Sequence, residues 1–457
     1  MGRRVNDTLL IRNVEVAGRQ CDVRIENGRI AEMGGRLPPR GEEIDGRGGA
    51  LIPGLIDHHI HLLATAAARS SVSLVDVRGP DELARRLQLP GTGWLRAVGF
   101  HEHHGGTLDR AALDHIVPGR PVRVQHQTGS VWFLNSAALA QLDLVDAPPG
   151  VDPASGRIER ADDWLRGQIG QTPPDLTALG QELASAGVTG VSDASITNDA
   201  STAALFASAR TSGALPQQVM LMSGGALDPP SDLVMIGPVK ILLDDHDLPP
   251  LDTVTDRIAG ARRWGRRVAV HCVTAGELAL ALAALAESGT LPGDRIEHGG
   301  VIPAESIPVL AELDLTVVTQ SAFPWQRGDR YLAEVEVGEQ ADLYRCDSLK
   351  RGGVAVAGSS DGPYATIDPW QAMRAAVQRR TVSGQPIGPH EAVAPREALD
   401  LYLGSFADPG GPRRSVTVGT SADLCLLHAP MEAALATLSA DLVAATVVAG
   451  RIVHGDV

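Results

Sequence analysis

From about residue 55 to residue 405 the chain alternates two kinds of segment. Short apolar runs (VRVQH, GVTGVSDAS, PVKILLDD, RVAVHC, DRIEHGG, LTVVTQSAF and GVAVAGSSDG) are separated by Ala- and Leu-rich stretches such as TAGELALALAALAESG. Near-continuous apolar runs bounded by Gly or polar turns read as strands buried on both faces, and the stretches between them have helical length. Such alternation predicts a parallel α/β architecture, and a (β/α)8 TIM barrel over 55–407 accommodates it best.

The two ends read differently. Residues 1–54 contain LLIRNVEV, CDVRIENGRIAEM with its Asn-Gly turn, and EEIDGRGGALIPG, while 408–457 contain SADLCLLHA and LVAATVVAGRIVHGDV. Both are short β-rich runs with glycine turns, so the two termini are expected to build one small antiparallel domain.

Composition narrows the classes of function. The formal net charge is −15, which argues against a nucleic-acid partner, because phosphate binding needs a basic face. The opening MGRRVNDTLLIRNVEV lacks an apolar run long enough for a signal peptide or membrane helix, and the acidic interruptions of the Ala/Leu stretches mark them as core helices. Cys21, Cys272, Cys346 and Cys425 have no CxxC spacing and are expected to be reduced thiols in a cytoplasmic protein.

The apolar runs end in chemically capable residues. In LIPGLIDHHIHLL alternate side chains share a face, so His59 and His61 project together and His58 projects oppositely. RVAVHC brings His271, DRIEHGG brings His298 and AGSSDGP brings Asp361, each where a strand gives way to a turn. In a parallel barrel those ends gather at one rim, where active sites lie. Lys240 ends a strand of the same series, in a chain whose 40 basic residues include lysine only at Lys240 and Lys350. Arginine stays protonated in a protein, whereas a buried lysine can lose its proton and act as a nucleophile.

Imidazole and carboxylate ligands suit zinc, and also manganese, iron, cobalt or nickel. A divalent ion would lower the pKa of water toward ~7 and polarise a carbonyl. Asp361 is then placed to take the water's proton and return it to a leaving group.

PGLIDHHIH, PVKILLDD, VAVHC, DRIEHGG and AGSSDGP resemble, in order, the metal-binding strands of the amidohydrolase superfamily. GRIAEMGG, DGRGGALIPG, GTSADLCLLHA and VVAGRIVHG are similar to that family's composite β-sandwich. GRPVRVQHQTGSVWFLNSAAL and GSSDGPYATIDPWQAMRAAVQRRT resemble the branch called amidohydrolase family 3, which contains N-substituted formamide deformylase. The resemblance implies that His59, His61 and Asp361 hold a more buried ion and that His271 and His298 hold a second. Lys240 would bridge the two as a carbamate, with Zn2+ the expected metal and a single ion expected if Lys240 is unmodified. It further implies hydrolysis of a C–N bond in an amide or cyclic amide by metal-activated hydroxide, with Asp361 as general acid and base. Ester, lactone or phosphotriester hydrolysis at the same centre is the alternative, followed by a non-catalytic scaffold.

The chain departs from the branch pattern in places. Thr128, Gly129 and Ser130 stand where the branch usually has Asp-Gly-His, and ILLDD with His246 follows Lys240 in place of Asp-Gly and a glycine-rich loop. His126, Trp325 and Arg327 are candidate substrate-binding residues at strand ends. His101, His103 and His104 in HEHHGG are expected to face solvent or a pocket wall rather than to bind a further metal. The expected partner is a small-molecule substrate, with no nucleic acid and no membrane; the sequence does not fix the oligomeric state, and a homodimer enters only because barrels of the family it resembles often dimerise.

Overall fold

The computed structural model describes residues 8–75, 77–170, 173–228 and 231–455; the side chains of His104 and Asp163 lie outside the described set. The chain forms two compact units, one built from the stretch ending at His61 and from Leu176 onward, the other from Leu62–Asp175.

The core of the first unit is an eight-stranded parallel sheet. Its strands are β1 (Leu55–Ile60), β2 (Val188–Asp193), β3 (Gln218–Ser223), β4 (Val234–Ile241), β5 (Val268–Cys272), β6 (Arg295–His298), β7 (Thr316–Thr319) and β8 (Ala355–Gly358). They lie in chain order. Every residue of β1, β2, β6 and β7 is buried, as expected for strands covered on both faces. The last and first strands are brought together beyond β8, where Asp361 N–H donates to the carbonyl of His59 at 2.8 Å and His61 N–H donates to that of Gly362 at 2.9 Å. The sheet is therefore a nearly closed TIM barrel.

The segments between strands are helical for identifiable reasons. Ala275–Ser288, which follows β5, starts with a capping box: Thr274 accepts from Glu277 N–H, and the Glu277 carboxylate accepts from Thr274 N–H. Leu278, Ala281, Leu282 and Leu285 form its buried face. The same Glu277 carboxylate accepts the N–H of Val273, so the cap also fixes the backbone just beyond His271. No helix among the described residues is long and apolar enough to cross a membrane.

The two chain ends form two four-stranded sheets. Thr8–Val16, Arg19–Glu26, Arg29–Gly34 and Glu42–Asp45 make one, and Leu51–Pro53, Leu424–Leu427, Val443–Val448 and Arg451–His454 make the other. Leu9, Ile11, Val23, Ile25 and Ile44 share one buried cluster with Leu51, Leu424, Leu426, Ala445 and Val447. Two sheets with a common core make a β-sandwich.

The Leu62–Asp175 unit differs from the sequence expectation, which counted VRVQH among the barrel strands. Val122–His126 instead pairs in parallel with Leu95–Phe100 and antiparallel with Val131–Leu134, inside a separate six-stranded sheet. Its core of Leu83, Leu87, Phe100, Leu113, Val122 and Val124 is its own. The physical reason is that an apolar run fixes strand character but not the partner it pairs with. The stretch 55–407 thus carries a second compact unit between β1 and β2.

Candidate metal centre

The barrel gathers His59, His61, His271, His298 and Asp361 from the ends of β1, β5, β6 and β8. His59 and His61 leave β1 on one face, with ring centroids 5.4 Å apart. Asp361 Oδ1 lies 3.5 Å from His59 Nε2 and 3.3 Å from His61 Nε2, and one ligand atom from each residue falls within 4.8 Å of the others. His298 brings its ring centroid to 4.7 Å from that of His59, and His271 brings its own to 4.5 Å from that of His298.

Two of these residues stand in an uncommon backbone conformation. His298 has φ 69° and Asp361 has φ 54°, values that cost a non-glycine residue of order 1–3 kcal/mol and that cluster at functional sites. Gly300 follows closely because a Cβ there would sit 2.5 Å from the carbonyl oxygen of Val273, so the turn after β6 needs glycine to pass the turn after β5.

The surrounding hydrogen bonds orient the rings. His59 Nδ1 bonds the Glu297 carboxylate, His298 Nδ1 lies 2.9 Å from Gln320 Oε1, and His61 Nδ1 lies 3.0 Å from Ser195 Oγ. Gln320 is itself held by Ser359, to which its Nε2 donates at 2.9 Å. Asp57, buried beneath the ligands, accepts the Ser360 hydroxyl at 2.5 Å and the Ser360 N–H at 2.9 Å, which fixes the backbone leading into Asp361. Burial raises the Asp57 carboxyl to about 6, against those hydrogen bonds.

Burial likewise holds His59, His271 and His298 neutral, the form that binds metal. His59 and His298 lie well below the ordinary imidazole range, and burial takes His271 down to about 3. Lys240 is buried, its Nζ has no hydrogen-bond partner, and burial lowers its pKa against the fields of Glu297 and Asp361. The nearby acids are engaged elsewhere: Asp245 Oδ1 accepts from Thr274 at 2.9 Å and Asp244 Oδ1 accepts from His246 N–H at 3.1 Å.

A divalent ion fits this donor set. His59 Nε2 and Asp361 Oδ1 are buried acceptors without a hydrogen-bond partner, and leaving such atoms unsatisfied costs about 1–3 kcal/mol each unless something binds them.

The other singled-out residues fall elsewhere. Trp325 and Arg327 lie on the helix Ala322–Glu334, which follows β7. The Arg327 guanidinium stacks over Phe323, with 4.5 Å to the ring centroid, and donates to the Tyr364 carbonyl at 2.7 Å. Tyr364 in turn sets its ring edge against His61, with centroids 5.8 Å apart. Val382 N–H donates to the Trp325 carbonyl at 3.0 Å.

His126 belongs to the Leu62–Asp175 unit. There its Nε2 lies 3.1 Å from Glu102 Oε2, and Glu102, His101 and His126 form a second compact group of ligand-type atoms. Hydrogen bonding accounts for this group: His101 Nδ1 accepts from His103 N–H at 3.0 Å and His126 Nδ1 accepts from Thr128 N–H at 3.2 Å. With both Nδ1 atoms accepting, the neutral rings carry their protons on Nε2, the nitrogen that His126 turns toward Glu102. The side chain of His104 lies outside the described residues.

The sequence reading passed over Glu297, Gln320, Asp57, Ser195 and Tyr364. Glu297 and Asp57 carried a signal, being carboxylates inside runs that must be buried, where a charge requires a partner.

A model of the amidohydrolase family matches residues 42–454. The chain belongs to the amidohydrolase family. This amidohydrolase is 26% identical to N-substituted formamide deformylase of Arthrobacter pascens, an alignment that covers 89% of each chain. Its fold is similar to that of a metal-dependent hydrolase from Pyrococcus furiosus, with a TM-score of 0.71 and 21% identity, covering 91% of this chain and 98% of that one. It is also similar to N-isopropylammelide isopropylaminohydrolase from Burkholderia multivorans, with a TM-score of 0.56 and 18% identity, covering 97% of each chain. Family membership makes it a metal-dependent enzyme that hydrolyses carbon–nitrogen bonds other than peptide bonds.

Proposed function

We propose that this amidohydrolase cleaves the C–N bond of an amide or cyclic amide at a centre of two zinc ions, with Asp361 as general acid and base. The observation that carries the reading is the convergence of His59, His61 and Asp361, one ligand atom from each lying within 4.8 Å of the others, with His59 Nε2 and Asp361 Oδ1 buried acceptors without a hydrogen-bond partner. His59, His61 and Asp361 would hold one ion and His271 and His298 the other. When bound, such ions acidify water and polarise a carbonyl.

Asp361 does the proton work. Its carboxylate takes a proton from the attacking water and delivers it to the nitrogen that leaves, so the carboxylate returns to its starting state. His61 beside it is steadied by Ser195 and by the edge of Tyr364. Lys240 supplies the missing negative charge: its neutral amine adds to carbon dioxide through a new N–C bond and loses a proton, giving a carbamate with anionic oxygen. Burial and the lack of a partner on Nζ favour the neutral amine this step needs.

N-substituted formamides are the first substrate class to test, given the Arthrobacter relative. Parallel hydrolysis assays on formamides, cyclic amides and esters, with and without added Zn2+, decide the reading. Zinc-dependent cleavage of amides above esters supports it, and cleavage of esters alone contradicts it.

A further inference from the structure

We propose that Glu297, clamped by Arg295, is a positioning residue that holds His59 in the tautomer able to bind a metal ion. This rests on the metal-centre reading above. Glu297 and His59 are 0% exposed and Arg295 is 1% exposed, so no solvent can replace the contacts among them.

The chemistry of the donors fixes every proton in the chain of contacts. Arg295 Nε donates to Glu297 Oε1 at 2.5 Å, and a guanidinium can only donate. The carboxylate is thereby held ionised, with Oε2 free to accept from one further group. That group is Nδ1 of His59. His59 Nδ1 must then carry the hydrogen, which leaves the lone pair on Nε2, the atom 3.5 Å from Asp361 Oδ1 that has no hydrogen-bond partner. Each oxygen of Glu297 thus faces a donor, which gives the carboxylate the role of orienting His59. Arg295 is anchored in turn, its Nη2 donating to the carbonyl of His58 at 3.2 Å and reaching Met222 Sδ at 3.4 Å.

Backbone geometry permits the arrangement. Adjacent residues of a strand normally face opposite sides, yet Glu297 and His298 both meet His59. The left-handed φ of 69° at His298 turns its side chain out of the alternation and onto the side that Glu297 already occupies.

Glu297→Gln makes the proposal sharp. The amide has one acceptor and one donor end, and Arg295 demands the acceptor. The NH2 group is then left facing His59 Nδ1, which must accept, so the proton moves to Nε2 and blocks the metal-facing nitrogen. Replacing Arg295 by methionine as well frees the amide oxygen to turn back toward His59.

The test is Co2+ affinity of metal-free protein, read by competition with a chromogenic chelator. Loss of such an outer carboxylate typically costs 10–100-fold in metal affinity. Glu297→Gln is expected to raise the Co2+ dissociation constant by that factor, and Arg295→Met/Glu297→Gln to recover most of the loss. Unchanged affinity in the single variant overturns the proposal, as does a double variant that binds no better than the single one. The protein itself supplies a measurement independent of any variant's folding: 15N-histidine shifts of the metal-free protein, with His59 assigned by its loss in His59→Gln. A proton on His59 Nδ1 is expected and a proton on Nε2 overturns the proposal. A protein that shows the Nδ1 tautomer but takes up no Co2+ refutes the metal-centre reading instead.

Discussion

The backbone N–H of Asp361 donates to the carbonyl oxygen of His59 at 2.8 Å, so the hydrogen bond that links the last strand to the first also sets the carboxylate beside the imidazole. One contact thus serves both barrel closure and site geometry. Disturbing the backbone here should therefore affect metal binding and stability together, whereas changing the Asp361 side chain should separate them.

Asp361→Asn should leave melting temperature and secondary structure near their original values while reducing turnover at least ~10²-fold, the usual loss on removing a general acid–base group. The amide is nearly isosteric but cannot take the water's proton. Steady-state kinetics beside circular dichroism make the comparison, and retained turnover with an unaltered pH profile would remove Asp361 from the reaction.

Lys240→Ala should remove the bridge between two cations and cost the second ion before the first. Lys240→Arg should fail equally, because a guanidinium brings permanent positive charge and cannot become an anionic ligand. Formate or acetate added to the alanine variant should restore part of the activity. Electron density at 240 showing an unmodified ammonium under carbon-dioxide-replete conditions would refute the carbamate.

Stability should fall on acidification. His271 is held neutral in the fold, with a pKa of about 3 against an ordinary 6.5, so between those values the unfolded chain binds the proton and the folded chain does not. The contribution is complete above pH ~6.5 and is lost as pH falls toward ~3; His59 and His298 act in the same direction. Urea denaturation of metal-free protein across this window should show the midpoint decreasing steadily, and a flat profile would contradict it.

Much of this was legible in the sequence because each ligand-type residue ends an apolar run, and in a parallel barrel strand ends share a rim. His271 and Asp361 could be marked in that way without knowing what they touch. Two things could not be marked. VRVQH has the apolar character of a barrel strand, but its partners Leu95–Phe100 and Val131–Leu134 lie in another sheet, and pairing choice is not written in one run. Glu297 showed as a carboxylate in a buried run, but its meeting with His59 was hidden by the period-2 rule, which places it opposite His298. The left-handed backbone at His298 defeats that rule, and single-residue φ values leave no clear mark in a sequence without glycine at the position.

Ser360→Ala should destabilise the protein by about 1–3 kcal/mol, because it leaves the buried Asp57 carboxylate without its hydroxyl donor. The same hydroxyl accepts from Gly362 N–H at 3.0 Å, so the turn that carries Asp361 should loosen and turnover should fall as well. Chemical denaturation and kinetics of the one variant check both, and wild-type values in each would show that the Asp57–Ser360 contact does not position the turn.

Metal content tests the central claim most directly. Protein purified without chelators and analysed by inductively coupled plasma mass spectrometry should carry one or two equivalents of divalent metal per chain, zinc foremost, and His59→Ala should lower that content. Less than about half an equivalent in a preparation with full hydrolytic activity would contradict the metal centre.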